Sequence, residues 1–172
     1  VSRVQSLEYI LKLGNLEVKD EEKIKLAAAK NEWYVEYISR LNEEEILPGV
    51  VSLLESLKKN KIKIALGSAS KNSIAILEGI KLMHYFDYIS DGNSTDKSKP
   101  DPEVFLIAAS GLELKPMDCL VIEDSIKGID AAIAGGFLSL GIGDSKHLGH
   151  AGYVLPDLKN TSYESINKLY YN

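Results

Sequence analysis

The sequence predicts an α/β protein built on a doubly wound parallel sheet, and three observations support this prediction. Apolar runs alternate with amphipathic segments throughout the chain after about residue 46. The apolar runs are continuous, as is typical of parallel strands that are buried on both faces. Small and polar residues follow several of these runs, at the carboxyl ends where such sheets bind their ligands.

The composition is that of an ordinary soluble globular protein. The 172 residues include 45% hydrophobic and 26% charged residues, which suits one domain or one domain with a small appendage. The net charge of −5 comes from acids and bases mixed along the chain, so we expect no nucleic-acid partner. No apolar stretch approaches the roughly 20 residues that span a membrane. The single cysteine, Cys119, fits a reducing compartment, and we expect a cytoplasmic protein.

Residues 1–46 are predicted to be helical and to contain no strand. Leu7, Ile10 and Leu11 share one helical face near the start of the chain. The stretch "GNLEVKDEE" then carries the glycine and aspartate signals of a helix end and a helix start. A second helix follows, and Pro48 and Gly49 separate this helical unit from the rest of the chain.

Beyond Gly49, strands and helices are predicted to alternate. The first helix is indicated by Val50, Leu53, Leu54 and Leu57, which are spaced to lie on one face. The predicted elements that follow are a strand over 61–68, a helix over 71–81, a strand over 85–90, a helix over 101–114, a strand over 119–124, a helix over 125–136 and a strand over 137–143.

The turn "LGSASKN" follows the first of these strands and is a candidate phosphate site. Its small residues leave backbone N–H groups and the Ser68 hydroxyl free to hold a phosphate at a helix N-terminus. The alternative is a plain Gly/Ser turn in which Ser70 is the N-cap of the helix.

A second candidate is Lys99 in "KSKPDPEVF". The following proline holds its backbone extended, and Asp101 and Pro102 are typical of a helix start. A lysine fixed there can neutralise a phosphoryl group, with a unit-charge pair at roughly 4 Å worth on the order of 4 kcal/mol at an effective dielectric near 20. The alternative is a solvated lysine in a turn.

The third candidate is the acidic pair in "CLVIEDSIKGIDAA". If the strand ends at Ile122, Glu123 and Asp124 both lie in the exit turn, and carboxylate oxygens there suit Mg²⁺. The alternative is a polar strand end in which Ser125 caps the next helix, which begins near Ile126.

Taken in order, Ser68, Lys99 and the Glu123–Asp124 pair resemble the second, third and fourth motifs of the haloacid dehalogenase-like (HAD) phosphotransferases. Other stretches are similar to the beta-phosphoglucomutase group of that family: "VSRVQSL", "LPGV", "NKIKIALGSASKN", "YFDYI", "SKPDPEVF" and "IEDSIKGIDAA". The resemblance covers essentially the whole chain. It implies a Rossmann-like core over residues 47–172 and a partial helical cap domain over residues 1–46.

The resemblance also implies an enzyme and its reaction. It implies a mutase that interconverts beta-glucose 1-phosphate and glucose 6-phosphate through a bisphosphate intermediate, with Mg²⁺ and a phosphorylated aspartate. The transferring phosphoryl group would be held by Ser68 and Ala69 and balanced in charge by Lys99, and Glu123 and Asp124 would hold Mg²⁺. Contacts to the sugar or to the other phosphate would come from Arg3, Ser6, Lys30, Ser70, Lys71 and Asn72.

One family motif is missing from these residues. The Asp-x-Asp motif of the opening strand supplies the nucleophile and the general acid/base, and no Asp-x-Asp occurs in this sequence. We therefore expect the first core strand and the start of the cap to be absent, and the chain to be part of a longer enzyme or a cleavage product that keeps its other piece. Such a chain would be inactive alone, and the complete protein is expected to be a monomer.

Two other functions share most of these features. A HAD phosphatase acting on sugar phosphates needs Ser68, Lys99, Glu123 and Asp124 but no grip on a second phosphate. Arg3 and Lys30 therefore favour the mutase. A non-catalytic binding module that naturally lacks the nucleophile is the third possibility.

Overall fold

A computed structural model describes the backbone of residues 3–171 and the side chains of residues 6–171. The helices are α1 (Arg3–Leu13), α2 (Asp20–Ile38), α3 (Val50–Lys59), α4 (Ser73–Gly79), α5 (Glu103–Gly111), α6 (Ile126–Ala134), α7 (Ser145–Leu148) and α8 (Tyr163–Tyr171). The strands are β1 (Ala65–Gly67), β2 (Tyr88–Ser90), β3 (Leu120–Glu123), β4 (Leu138–Ile142) and β5 (Tyr153–Leu155). Among these described residues, no helix is long and apolar enough to cross a membrane.

The strands confirm the predicted α/β class with parallel pairing. Strand β1 pairs with β2, and β3 pairs with β4, which in turn pairs with β5. All three pairings are parallel, with helices between successive strands. The described strands form two sheets rather than the single sheet that the sequence predicts, because β1 and β3 share no ladder within residues 3–171.

Several predicted strands are longer than the observed ones, for local reasons. The strand predicted over 61–68 begins only at Ala65, because Lys61 adopts a left-handed φ of 58° that turns the chain after α3. The strand predicted over 85–90 begins at Tyr88, because a short 3₁₀ helix occupies Met83–Tyr85. The apolar side chains before each strand still contribute to packing, as Ile64 does.

Three apolar clusters fix these elements around the strands. One joins α3, β4 and α8 through Leu53, Leu140 and Ile166. A second packs α5 and α6 against β3, and a third lies between α3, α4 and the start of β1. The helices α1 and α2 pack against each other, with Leu7, Leu11 and Ile38 buried. Ile10, predicted to share the face of Leu7, is half exposed.

Asp87 connects α3 to the segments that enter β1 and β2. Its Oδ1 accepts a hydrogen bond from Lys58 Nζ at 2.7 Å, and its Oδ2 accepts one from the Ile64 backbone N–H at 2.8 Å. The bond from Lys58, followed by that from Ile64, lowers the pKa of Asp87 below its ordinary value of 3.8. The carboxylate therefore stabilises the fold more than the protonated acid does.

Asp87→Asn is expected to lower the free energy of unfolding by about 1 kcal/mol at neutral pH, a value kept small because the side chain is 41% exposed. When folding lowers the pKa of a carboxylate, the charged group stabilises the protein at pH values above its pKa in the unfolded chain. This contribution is lost as the pH falls through its pKa in the folded protein. The difference between the two proteins should thus be largest at pH 7 and shrink below pH 3.8. Urea unfolding of both proteins at pH 7 and at about pH 3 measures it.

The control for this experiment is Asp157→Asn. Among the described residues, Asp157 forms side-chain hydrogen bonds and ion pairs only with Lys159, two residues along the chain, and its side chain is about as exposed as that of Asp87. It should change stability by less than about 0.5 kcal/mol at either pH. If Asp87→Asn lowered the free energy of unfolding by the same amount at both pH values, the role of the carboxylate charge would be contradicted.

Candidate functional site

Lys99 joins the carboxyl ends of β1 and β3. Its Nζ donates a hydrogen bond of 2.7 Å to Glu123 Oε2, at the end of β3, and one of 3.2 Å to the carbonyl oxygen of Gly67, at the end of β1. The side chains of Lys99 and Glu123 are only 12% and 11% exposed. Two strands that do not pair with each other are thus bridged by a single buried ammonium group.

Aromatic packing fixes the position of this lysine. Lys99 Nζ lies 4.5 Å from the centre of the Phe105 ring, a distance typical of a cation–π interaction. The ring also lies directly against Gly67, where a Cβ atom would stand 2.6 Å from Phe105 Cδ1. Gly67 therefore leaves the space that lets Phe105 pack beneath the ammonium group.

The first turn of α5 holds the segment that leads to Lys99. Glu103 Oε2 accepts hydrogen bonds from the backbone N–H groups of Asp96 and Lys97 at 2.9 and 2.7 Å. Asp101 Oδ1 accepts one from the Glu103 N–H at 3.0 Å. The predicted helix start at Asp101 and Pro102 is thus close to the observed one, since α5 begins at Glu103 with Pro102 as N-cap.

Glu123 is the last residue of β3, so the strand predicted over 119–124 is one residue shorter at each end, and Asp124 but not Glu123 lies in the exit turn. Glu123 Oε1 accepts a hydrogen bond of 2.6 Å from the Ser125 hydroxyl, which in turn accepts one of 3.1 Å from the Gly128 N–H. Ser125 is therefore the N-cap of α6, as the alternative interpretation of this stretch expected. A Cβ atom at Gly128 would lie within 3 Å of the Glu123 carboxylate, so the glycine makes room for it.

Glu123 and Asp124 supply two hard carboxylates at this strand end. Asp124 is exposed in the turn between β3 and α6, beside the half-buried Glu123. Within residues 3–171, no group of three or more His, Cys, Asp or Glu side chains is placed to hold a metal ion. Two carboxylates fit Mg²⁺, which usually takes one or two protein carboxylates together with water and phosphate oxygens.

The loop over residues 68–72 leaves donors free at the end of β1. The Ser68 N–H donates to the carbonyl oxygen of Ser90 at 2.9 Å, which continues the β1–β2 pairing. The Ser68 hydroxyl accepts a bond of 3.1 Å from the Ser70 N–H. Among the described residues, the N–H groups of Ala69 and Lys71 have no hydrogen-bond acceptor. Free N–H groups beside a hydroxyl are a suitable cradle for an anion.

Ser70 does not cap α4, contrary to one interpretation of the sequence. The helix begins at Ser73 rather than at residue 71, with Asn72 in the N-cap position. The Ser70 hydroxyl accepts a bond of 3.1 Å from the Asn72 N–H, and the Ser73 hydroxyl donates one of 2.8 Å to the Ser70 carbonyl. These bonds stabilise the turn ahead of the helix, and the loop is longer than predicted.

Sequence reasoning missed the loop after β2, which lies against this turn. Asp91 is buried at the end of β2, and Gly92 and Asn93 bond to the carbonyls of Ser70 and Lys71. The signal was present in "SDGN", a polar turn sequence at the carboxyl end of a predicted strand.

The predicted residues of the helical unit lie apart from these contacts. Ser6 and Lys30 are half-buried on α1 and α2, and Arg3 lies on α1 with its side chain outside the described residues. Lys127 lies in the first turn of α6, and its Nζ is 5.9 Å from the centre of the Tyr9 ring on α1. The middle of α1 is thus near the first turn of α6, although no described hydrogen bond or ion pair links Ser6 or Lys30 to Lys99 or Glu123.

Comparison with known proteins agrees with this arrangement. Residues 2–136 match a family profile described as haloacid dehalogenase-like hydrolase. The chain belongs to the haloacid dehalogenase-like family. It is 38% identical over 170 residues to beta-phosphoglucomutase of Bacillus subtilis, covering 98% of this chain and 75% of that protein.

Other members of the haloacid dehalogenase-like family extend the comparison. A crystal structure of beta-phosphoglucomutase from Clostridium difficile superposes with a TM-score of 0.90 at 40% identity, covering 99% of this chain and 77% of that one. A phosphorylated carbohydrates phosphatase of Thermotoga maritima is 34% identical over 114 residues, covering 62% of this chain and 53% of that protein. The relatives of this chain therefore include both mutases and phosphatases of sugar phosphates.

Proposed function

We propose that the chain carries the phosphate-binding part of a sugar-phosphate mutase, which interconverts beta-glucose 1-phosphate and glucose 6-phosphate through a bisphosphate intermediate and an aspartyl-phosphate. The observation that carries the proposal is the position of Lys99, a buried cation between the free donors of the 68–72 loop and Glu123. The similarity to two beta-phosphoglucomutases over nearly the whole chain favours this reaction.

In the proposed reaction, the chain binds and orients the transferring phosphoryl group. The Ser68 hydroxyl and the N–H of Ala69 donate to its oxygens, and Lys99 balances their charge. Lys71, Asn72 and Ser70 contact the sugar or the second phosphate. Phosphoryl transfer depends mainly on this kind of positioning and charge stabilisation. When bound by Glu123 and Asp124, Mg²⁺ neutralises further charge on the phosphoryl group.

The helical unit is proposed to act as a cap over residues 47–172. Arg3, Ser6 and Lys30 would hold the phosphate that is not reacting, a task suited to the planar fork of arginine. Closure of such a cap excludes water, which would otherwise hydrolyse the phosphoenzyme. The approach of Lys127 to Tyr9 supports a cap that meets the core at the end of β3.

The carboxylate nucleophile is proposed to come from a segment outside these 172 residues. The gap between β1 and β3, bridged by Lys99, supports a missing core strand at this position. Apolar side chains on the cap support a missing cap segment, since Leu13 and Trp33 are 86% and 73% exposed. We also propose that the complete protein is a monomer and is located in the cytoplasm.

A coupled assay for glucose 6-phosphate tests the proposed reaction. The complete protein, given beta-glucose 1-phosphate, Mg²⁺ and a catalytic amount of bisphosphate, is expected to form glucose 6-phosphate faster than inorganic phosphate. The 172-residue chain alone is expected to form neither product, because it lacks the nucleophile.

Release of inorganic phosphate without glucose 6-phosphate would instead support the phosphatase, which the similarity to the Thermotoga maritima enzyme makes the second candidate. Turnover by the 172-residue chain alone would overturn the proposal that the nucleophile lies elsewhere. Binding of phosphate with no turnover by the complete protein would favour the non-catalytic binding module.

A further inference from the structure

We propose that Asp91 and Asn93 are positioning residues that hold the 68–72 loop in the shape that binds phosphate. The inference rests on the proposed function, since it concerns the loop to which that function assigns the phosphoryl group. Neither residue is among those to which the family resemblance assigns a role. Both lie behind the loop, on the turn that follows β2.

The turn after β2 contacts the loop through the loop's carbonyl groups. The Gly92 N–H donates to the Ser70 carbonyl oxygen at 3.1 Å, and Asn93 Nδ2 donates to the Lys71 carbonyl oxygen at 3.0 Å. Two successive carbonyls are thus held by the turn after β2. This arrangement fixes the peptide planes on both sides of Lys71.

Asp91 in turn fixes the amide of Asn93. The side chain of Asp91 is buried, and the residue is only 4% exposed. Its Oδ1 accepts from the Asn93 N–H at 2.8 Å, and its Oδ2 accepts from Asn93 Nδ2 at 3.1 Å. The two hydrogens of Asn93 Nδ2 are therefore shared between Asp91 and the Lys71 carbonyl. The amide can take only this orientation while both bonds persist.

Gly92 allows the two turns to approach each other. A Cβ atom at Gly92 would lie 2.6 Å from the carbonyl oxygen of Ala69 and 3.1 Å from the Lys71 nitrogen. With the carbonyls of Ser70 and Lys71 already bonded, the N–H groups of Ala69 and Lys71 are the backbone donors of the loop that have no acceptor among the described residues. The turn after β2 thereby sets where those donors lie without touching the bound phosphate.

Titration of the ¹⁵N-labelled 172-residue chain with inorganic phosphate tests this role. In the wild type, the amide signals of Ala69 and Lys71 should shift. Asn93→Ala should weaken phosphate binding about tenfold, because a loop residue that Asn93 no longer holds must then be ordered on binding. Ser94→Ala is the matched control, since Ser94 bonds to Asp91 and, among the described residues, makes no hydrogen bond to the loop, and it should leave the affinity within about twofold.

Asp91→Asn separates positioning from simple electrostatics. It removes a negative charge near the proposed anion site, so charge alone would strengthen phosphate binding. Positioning predicts weaker binding, because an amide at residue 91 cannot accept both bonds from Asn93. Stronger binding by Asp91→Asn, or an unchanged affinity of Asn93→Ala, would overturn the inference.

Hydrogen exchange keeps this test independent of the proposed function. If the wild-type chain does not bind phosphate, the proposed function fails, and the loop is examined in the free protein. The amides of Ser70 and Asn72, which donate to hydroxyls within the loop, should then exchange about tenfold faster in Asn93→Ala than in Ser94→Ala. Equal exchange rates would contradict the role of Asn93 in ordering the loop.

Discussion

Lys99→Met is expected to lower the free energy of unfolding by about 3 kcal/mol, because it leaves the Glu123 carboxylate with no cation in a site that is almost closed to solvent. The Ser125 hydroxyl would be the remaining side-chain donor to that carboxylate within the described residues. The loss of Lys99 also removes the contact between β1 and β3 through the Gly67 carbonyl. Urea unfolding followed by circular dichroism measures the change.

Lys97→Met is the matched control for this substitution. Lys97 lies two residues earlier, is 67% exposed and pairs with Asp101 at 3.3 Å, so its loss should cost less than about 0.5 kcal/mol. The double variant Lys99→Met with Glu123→Gln should recover part of the stability, since the buried charge is then removed together with its partner. A Lys99→Met protein as stable as Lys97→Met would show that the pair does not hold the two sheets together.

Gly49→Ala should destabilise the protein by about 3 kcal/mol, because two effects add at this position. Gly49 precedes α3 with a φ of 94°, a conformation that costs L-residues roughly 1 to 2 kcal/mol. A Cβ atom there would also lie within 3 Å of the Leu158 carbonyl group and 2.8 Å from the Lys159 nitrogen. These atoms belong to the backbone, so relief of the overlap requires the chain before α8 to move, at roughly 1 to 3 kcal/mol.

Gly136→Ala isolates the conformational part of that effect. Gly136 has a comparable φ of 77°, but a Cβ atom there would meet nothing within 4 Å. The expected loss is therefore about 1 kcal/mol, from the left-handed backbone alone. Comparing the two variants by urea unfolding gives the cost of the overlap, and equal losses would contradict the close approach of residue 158 to Gly49.

Much of the core could be predicted from the sequence because its signals are local. The continuous apolar run before Glu123 indicates a buried strand, and Ser125 at the start of a helical pattern indicates a cap. Parallel topology then places the ends of β1 and β3 at one side of the molecule, which is why Lys99 and Glu123 can meet. Because Lys99 and Glu123 are far apart in the sequence, their contact can be predicted only once the fold is known.

Other features depend on contacts that local patterns do not encode. The run "YVL" is too short to distinguish the strand β5 from a loop. The position of α8 depends on the packing of Ile166 and on hydrogen bonds that join Tyr163 and Glu164 to α3 and its C-cap. The role of Asn93 depends on the carbonyl of Lys71, 22 residues away. Strand lengths were overestimated near Lys61, because a left-handed residue leaves no clear trace in hydrophobic periodicity.

The division of the strands into two sheets bears on how the molecule opens. Within residues 3–171 no ladder joins the sheets, so contacts through Lys99 and through two helices hold them together: α3 packs on β4 and on the start of β1, and α5 packs on β1, β2 and α6. Motion of one sheet relative to the other therefore breaks side-chain contacts and an ion pair rather than a strand ladder. The 68–72 loop follows a strand of one sheet, and the Glu123–Asp124 pair lies at the end of a strand of the other, so the proposed site needs both sheets to stay packed on α3 and α5.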